Sequence, residues 1–384
     1  MREAIHRRPA IDRAHTRSGS SRKAVVALVL IAVLCLAAGL CGGLLRAGVA
    51  LPGPVSGAWL GPAVQAHAFL MICAFMGTVI GIERAVALKK ALAFAAPLSS
   101  AFAGLAVLAG ASNLAAGLAV AGAAAFVAVN ALVVFRQRAA HTVLLLVGAL
   151  AWLAGNLGFA FDGSPHATVP WWFAFLVLTI AAERLEMTRL MRRRRGTSEA
   201  LYLVVGLLLA GCGLFAVSLK WGGLVYGTAL VLLAAWLLSF DIARRTLFAE
   251  GLSRYMAVCL LLGYGWLAIA GISWCALAFG VPLVDAAIHA LALGFVLSMM
   301  LGHAPVILPA LAGIKVAFGW AFYLPLALLH LSLAARLLLR HRDLDGFATA
   351  ATTNALAILL FAATVAGSAL AWRLKHHSPL RAAS

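Results

Sequence analysis

Twelve long apolar segments constrain the fold of this chain more than any other feature of its sequence. A helix needs about 20 mostly apolar residues to cross the roughly 30 Å hydrocarbon core of a bilayer. Segments of that length, bounded by charges or by Gly and Pro clusters, fall at residues 24–46, 64–88, 91–111, 114–135, 142–161, 169–190, 200–219, 223–243, 255–278, 284–304, 316–337 and 348–371. The sequence therefore predicts an all-α, polytopic transmembrane bundle of about 12 helices, with one transmembrane domain over residues 24–371.

The composition excludes a soluble protein, and the positions of the basic residues indicate membrane topology. The residues are 64% hydrophobic and 11% charged, whereas soluble domains are about 45–50% apolar and about 25% charged. A net charge of +18 is compatible with nucleic-acid binding, but the basic residues lie in short clusters between the apolar segments. The positive-inside rule accounts for such clusters. We therefore predict the lipid bilayer as a partner and no nucleic acid.

The distribution of Lys and Arg also predicts the orientation of the chain. A basic tail at residues 1–23, most of the basic clusters and a tail at residues 372–384 fall on one side. That side is predicted to be cytoplasmic. The expected location is the bacterial inner membrane, crossed many times, with both termini in the cytoplasm and the first tail disordered. The basic cluster at 336–342 is an exception, and the proline-containing stretch 305–314 leaves a re-entrant segment open.

A weak repeat relates the second, sixth and tenth segments. The second opens with His67-Ala68-Phe69 and ends near Glu83-Arg84, the sixth ends near Glu183-Arg184, and the tenth contains His289-Ala290. These segments are four apart, which suggests three four-helix units around a pseudo-threefold axis. In membrane proteins, binding sites often lie where such repeats meet.

Histidines within the apolar segments are the candidate cofactor ligands, because ionisable residues in a membrane helix are costly. His67 and His289 lie at matching outer ends of their segments, and His330, counted from Lys315 at 1.5 Å per residue, reaches a similar depth. His303 follows His289 by nearly four turns, which predicts that the two share a helix face. Two opposed imidazoles can ligate the iron of haem b. We therefore predict haem b at His67 and His289, and copper at His303 or His330.

Each of these residues also has a structural interpretation. A lone membrane histidine can make one interhelical hydrogen bond, worth about 0.6–2 kcal/mol. The Glu83-Arg84 and Glu183-Arg184 pairs either anchor their helices at the interface through local ion pairs or form a gate for protons or substrate. The six cysteines show no C-x-x-C spacing, so neither a zinc site nor a disulfide framework is indicated. The chain also lacks the P-loop, H-E-x-x-H and G-x-S-x-G motifs.

The histidine segments resemble those of the NnrS family. The resemblance is carried by His67-Ala68-Phe69 and by the stretch from Ile288 through Met299-Met300-Leu301-Gly302-His303. It implies a twelve-helix bacterial membrane protein with haem and copper and a role in nitric oxide response and denitrification. The second segment departs from the family pattern His-x-His-Glu, since this chain has Gln65-Ala66-His67-Ala68. The three-by-four arrangement is also distantly similar to subunit I of the haem-copper oxidases, without the adjacent histidine pair of their copper site.

Three functions therefore stay open at the level of the sequence. The first is a haem protein, with copper as a second metal, that acts on or senses nitric oxide. The second is a cofactor-free, proton-coupled secondary transporter in which histidines and Glu-Arg pairs carry protons. The third is an assembly factor for a respiratory complex, which would have neither haem nor transport activity.

Overall fold

The predicted all-α membrane bundle is confirmed. A computed structural model describes residues 9–51, 57–161, 164–188 and 196–377, and no residue in these ranges lies in a β-strand. Twelve of its helices are long and apolar enough to cross a membrane. They are α1 Ala24–Arg46, α2 His67–Leu88, α3 Ala91–Leu108, α4 Ser112–Arg136, α5 Ala140–Phe161, α6 Pro165–Met187, α7 Thr197–Leu214, α8 Leu219–Phe240, α9 Gly251–Ala278, α10 Val284–Pro309, α11 Trp320–Leu339 and α12 Leu344–Lys375.

Two helices extend beyond the predicted spanning segments. The helix of α1 begins at Pro9, because a helix formed in an apolar segment extends into flanking residues more easily than it nucleates. Residues 9–23, which the sequence assigned to a basic tail, therefore continue the helix of α1. The helix of α10 likewise runs through Pro305 and Pro309 to Ala312 and ends at Gly313, whose φ of 64° suits a glycine C-cap. Residues 1–8, 189–190 and 378–384 of the predicted tails and sixth segment lie outside the described ranges.

The helices form a ring around three central ones. Consecutive spanning helices pack together along the chain, α1 also packs on α3, and α12 returns to contact α1. In α2, α6 and α10, 72%, 78% and 56% of the apolar window is buried, against 50% or less in each of the other nine. The α6 helix contacts both α2 and α10. This burial agrees with the predicted three units of four helices, each contributing its second helix to the centre.

The central helices α2 and α10 share a backbone irregularity next to their histidines. A π-helical segment, Leu70–Met76, begins three residues after His67. A second, Ala290–Leu297, begins immediately after His289. Such wide turns are rare and occur frequently at functional sites. The repeat thus extends from the His-Ala sequence to the local geometry of the two helices.

Two faces of the bundle are needed to describe the sites. Because twelve is an even number, α1 begins and α12 ends on the same face, which we name the terminal face. The even-numbered helices begin at the other, opposite face, so His67 and His289 lie near the opposite face. The Glu-Arg pairs that end α2 and α6 lie near the terminal face.

Candidate functional site

The opposite face holds a cluster of polar side chains, which we name the paired-histidine site. Its members come from the central helices α2 and α10 and from α11 of the ring, and they are His67, Asp285, His289 and Arg336. All are at least partly buried. Their elements bring them together because α10 and α11 are antiparallel neighbours, so the start of one lies beside the end of the other.

His67 is held against α1. Its Nδ1 lies 2.7 Å from the carbonyl oxygen of Gly39, and because a carbonyl only accepts, Nδ1 carries the proton. The ring lies where α1 has glycine, since a Cβ on Gly43 would stand 2.6 Å from Cε1 of His67. The small residues of α1 therefore make room for the imidazole and fix its tautomer.

His289 is held in the same tautomer by its own helix. Its Nδ1 is 3.1 Å from the backbone oxygen of Asp285 and 3.1 Å from the Oδ1 atom of the same residue. Both are acceptors, so Nδ1–H donates. The Nε2 atom lies 3.3 Å from Nη2 of Arg336, and a guanidinium only donates. Nε2 of His289 is therefore unprotonated and carries a lone pair.

The two imidazoles lie near each other and share a tautomer. His67 interacts electrostatically with His289, Arg46 and Arg336, which places both rings in one neighbourhood. In each ring the anchored Nδ1–H leaves Nε2 unprotonated, which is the usual orientation of a metal-bound histidine. Nε2 of His289 accepts from Arg336 in this structure. Within the described ranges no group of three or more His, Cys, Asp or Glu side chains could hold a metal ion. Haem supplies four nitrogen ligands itself, so two imidazoles complete its coordination.

His330 lies deeper than predicted and has a partner at each ring nitrogen. Trp266 Nε1 donates to Nδ1 at 2.7 Å, and Nε2 lies 3.3 Å from Oγ of Ser298. Ser298 is nine residues beyond His289, or about 13 Å along the helix. His330 therefore does not reach the depth of the paired-histidine site. Copper at His330 stays a prediction, and the contacts seen are those of an interhelical hydrogen-bond network.

His303 faces a different neighbour from His289. Its Nδ1–H donates to the backbone oxygen of Met299 at 2.6 Å, and its Nε2 accepts from Nη2 of Arg184 in α6 at 2.8 Å. The prediction that His289 and His303 share a face assumed an unbroken α-helix, whereas a π-helical segment between them adds a residue to the turn. One added residue rotates the following helix by about 100°. Copper at His303 stays a prediction, although a guanidinium occupies its lone pair.

The terminal face holds a second polar cluster, which we name the terminal-face network. It joins the ends of α2 and α6 to α10, α9 and the residue after α8, and its members are Glu83, Arg84, Glu183, Arg184, Asp241, Tyr264 and His303. The ends of the second, sixth and tenth segments therefore meet in space. One interpretation of the sequence was that each Glu-Arg pair anchors its own helix through local ion pairs. In the structure the two pairs contact each other through Arg84 and Glu183.

The contacts within the network run between helices. Arg84 Nη2 lies 3.4 Å from Oε1 of Glu183 and 3.9 Å from Oε1 of Glu83. Asp241 lies just past α8, where burial raises its pKa and the N–H of Ala243, at 2.7 Å, acts against that rise. Arg84 and Glu183 lie at the ends of two central helices, so their contact joins α2 to α6 at this face.

Sequence reasoning missed the partners Asp285 and Arg336. Arg336 was counted as a topological exception, yet it forms a bidentate ion pair with Asp285. Its Nε donates to Oδ2 at 3.0 Å and its Nη2 donates to Oδ1 at 2.8 Å. One signal was present in the sequence, since Asp285 and His289 are four residues apart and therefore share a helix face. The pairing of α10 with α11 was the information that the pattern lacked.

Comparison with known proteins gives a family without a named activity. No curated protein and no solved structure matches the chain. One family profile matches residues 25–370, which is nearly the whole of the spanning region. The chain belongs to that family, DUF8744, which is described as a domain of unknown function.

Proposed function

We propose that this protein holds haem b between His67 and His289 near the opposite face of a bacterial inner membrane, and that it serves in nitric oxide response. The observation that carries the proposal is that two neighbouring imidazoles from central helices have the same tautomer. Each has its Nδ1–H anchored and its Nε2 unprotonated, and the two interact electrostatically. Nε2 of His289 accepts a hydrogen bond from Arg336, which iron binding would displace. The nitric oxide role is supported by the resemblance to the NnrS family alone.

The surrounding residues have distinct roles in this proposal. Gly39 and Asp285 orient the two rings through their oxygen atoms. Arg46 and Arg336 supply positive charge beside His67, which suits the carboxylates of haem propionates. Bound haem iron would supply one-electron redox chemistry and, in exchange for one imidazole, a position for nitric oxide. The excess of basic residues on the terminal face assigns that face to the cytoplasm in this proposal.

The proposal is tested by the absorption spectrum of the protein purified in a mild detergent. We expect a reduced-minus-oxidised spectrum typical of haem b, with haem stoichiometric with the chain, and a band shift when nitric oxide is added to the reduced protein. His67→Ala and His289→Ala are each expected to lose most of the haem, because each variant removes one of the two side chains that would hold it. The exposed His166 provides the control, and His166→Ala should keep full haem content. Full haem in both ligand variants would refute the assignment.

A second test changes the site without touching a ligand. Gly43→Ala places a Cβ 2.6 Å from Cε1 of His67, which is closer than two carbon atoms can pack, so the ring must shift from its present position against α1. Overpacking of this kind costs about 1–3 kcal/mol, and about 1.4 kcal/mol is tenfold in affinity. We therefore expect haem affinity to fall by about tenfold or more, measured by transfer of haem to a competing acceptor. Gly117→Ala, where a Cβ meets nothing within 4 Å, should leave affinity unchanged.

A proton-coupled transporter is the second candidate, and the terminal-face network favours it. Ionisable residues from α2, α6 and α10, the three most buried helices, meet there. A transporter of this kind would be colourless when purified, and its uptake of substrate would depend on a proton gradient. The absorption spectrum described above separates the two candidates.

A further inference from the structure

The terminal-face network contains more carboxyl groups than cations to balance them. Its acidic members are Glu83, Glu183 and Asp241, and its cations are the two guanidinium groups of Arg84 and Arg184. His303 adds no charge, because its Nε2 accepts a hydrogen bond from Arg184 and is therefore unprotonated. Full ionisation would leave one uncompensated negative charge within the bundle, which is costly in a buried site.

The two glutamates compete for one guanidinium. Arg84 Nη2 is 3.4 Å from Glu183 and 3.9 Å from Glu83, and the two carboxyl groups act on each other electrostatically. Their side chains are 27% and 28% exposed, so water compensates them only in part. Two carboxyl groups held this close do not both ionise readily, and they share a proton.

Asp241 and Arg184 are compensated separately. Asp241 accepts the N–H of Ala243 at 2.7 Å and lies in the field of Arg184. Arg184 is 4% exposed, and its buried Nε has no hydrogen-bond partner in the part of the chain that the structure describes. The same is true of Oδ2 of Asp241. This second pair of charges therefore keeps spare hydrogen-bonding capacity inside the network, which a proton or water can use.

A half-exposed residue links the glutamate pair to the terminal face. Glu186 interacts electrostatically with Glu183, and its side chain is 39% exposed. It lies 3.9 Å from Nε2 of His141 in α5. Proton-accepting groups thus extend from solvent, through Glu186, to the buried carboxyl pair.

We infer that Glu83 and Glu183 form a proton-binding site that holds one shared proton and exchanges it with the terminal side through Glu186. The site is formed by the facing ends of two central helices, with Arg84 between the carboxyl groups. It does not depend on haem, because it lies at the other end of α2 from His67. Its chemistry suits a protein that couples proton uptake to another step.

Infrared spectroscopy of the purified full-length protein tests this inference. The readout is the C=O stretching band of a protonated carboxyl group at neutral pH, identified by its shift in heavy water. We expect the band in the wild type and its loss in Glu83→Gln and in Glu183→Gln, because the remaining carboxylate then has Arg84 to itself. Elution as a single species in size exclusion shows that each variant is folded.

Two controls locate the proton. The exposed Glu199 is a matched carboxyl outside the network, and Glu199→Gln should keep the band. Asp241→Asn, inside the network, should also keep it, because Glu83 and Glu183 still share the one guanidinium of Arg84. Absence of the band from the wild type, its persistence in both glutamate variants, or its loss in Asp241→Asn alone would each overturn the assignment to the glutamate pair. Haem propionates, where present, contribute equally to the C=O band of the wild type and of every variant, so they cancel in the difference between the spectra.

Discussion

Replacing Asp285 by leucine is expected to lower the free energy of unfolding by about 3–5 kcal/mol, because it leaves the charge of Arg336 without its carboxylate inside the bundle. The two side chains are 15% and 10% exposed and are joined by two hydrogen bonds. The reverse change, Arg336→Met, should cost a similar amount, since it leaves the carboxylate alone. Titration with a denaturing detergent measures the unfolding free energy of each variant.

The double variant separates a broken ion pair from lost packing. Two apolar residues of similar volume can replace a buried ion pair at little cost, so Asp285→Leu combined with Arg336→Met should be more stable than either single variant. The pair interaction then follows from the double-mutant cycle. Glu199→Leu, on an exposed residue, controls for the loss of a charge and should change stability by about 0.5 kcal/mol or less. A double variant less stable than both single variants would contradict the account.

Hydrophobic length predicted the spanning helices because the bilayer sets that length directly. Each of the twelve predicted segments coincides in large part with one spanning helix. The relative depth of His67 and His289 was predictable for the same reason, since rise per residue is fixed in a helix. Where the backbone leaves the α-helical repeat, this arithmetic fails. The π-helical segment in α10 rotates His303 away from the face of His289, and no sequence pattern marks it.

The partners of the polar residues were not predictable, because spacing along one helix does not say which other helix it meets. Trp266 of α9 and Ser298 of α10 hydrogen-bond to His330, and no sequence pattern indicates either residue as its partner. The Glu-Arg pairs were visible as a repeat 100 residues apart, yet nothing in the pattern placed Arg84 beside Glu183. The repeat indicated which helices are central, and the helix packing then decided which side chains meet.

The glycines at the contact between α8 and α9 are a second case in which the sequence shows the spacing but not the partner helix. Gly223 and Gly227 are four residues apart, the spacing of small residues that lets membrane helices approach closely. A Cβ on Gly227 would lie 2.5 Å from the carbonyl oxygen of Gly271, and a Cβ on Gly271 would lie 2.6 Å from the carbonyl oxygen of Gly227. The two backbones are therefore in mutual contact. The sequence contains the spacing, but the identity of the partner helix comes from the fold.

Gly227→Val is accordingly expected to cost about 3 kcal/mol, the upper part of the range for overpacking. The atoms that the new side chain meets belong to the backbone of α9, which cannot rotate away as a flexible side chain would. Separation of α8 from α9 also loses van der Waals contact that lipid replaces only in part, because apolar association in a bilayer depends on close packing. Unfolding in a denaturing detergent measures the loss. Gly206→Val, on a helical glycine whose added Cβ meets nothing within 4 Å, is the matched control, and equal destabilisation by both changes would rule out the backbone contact as the cause.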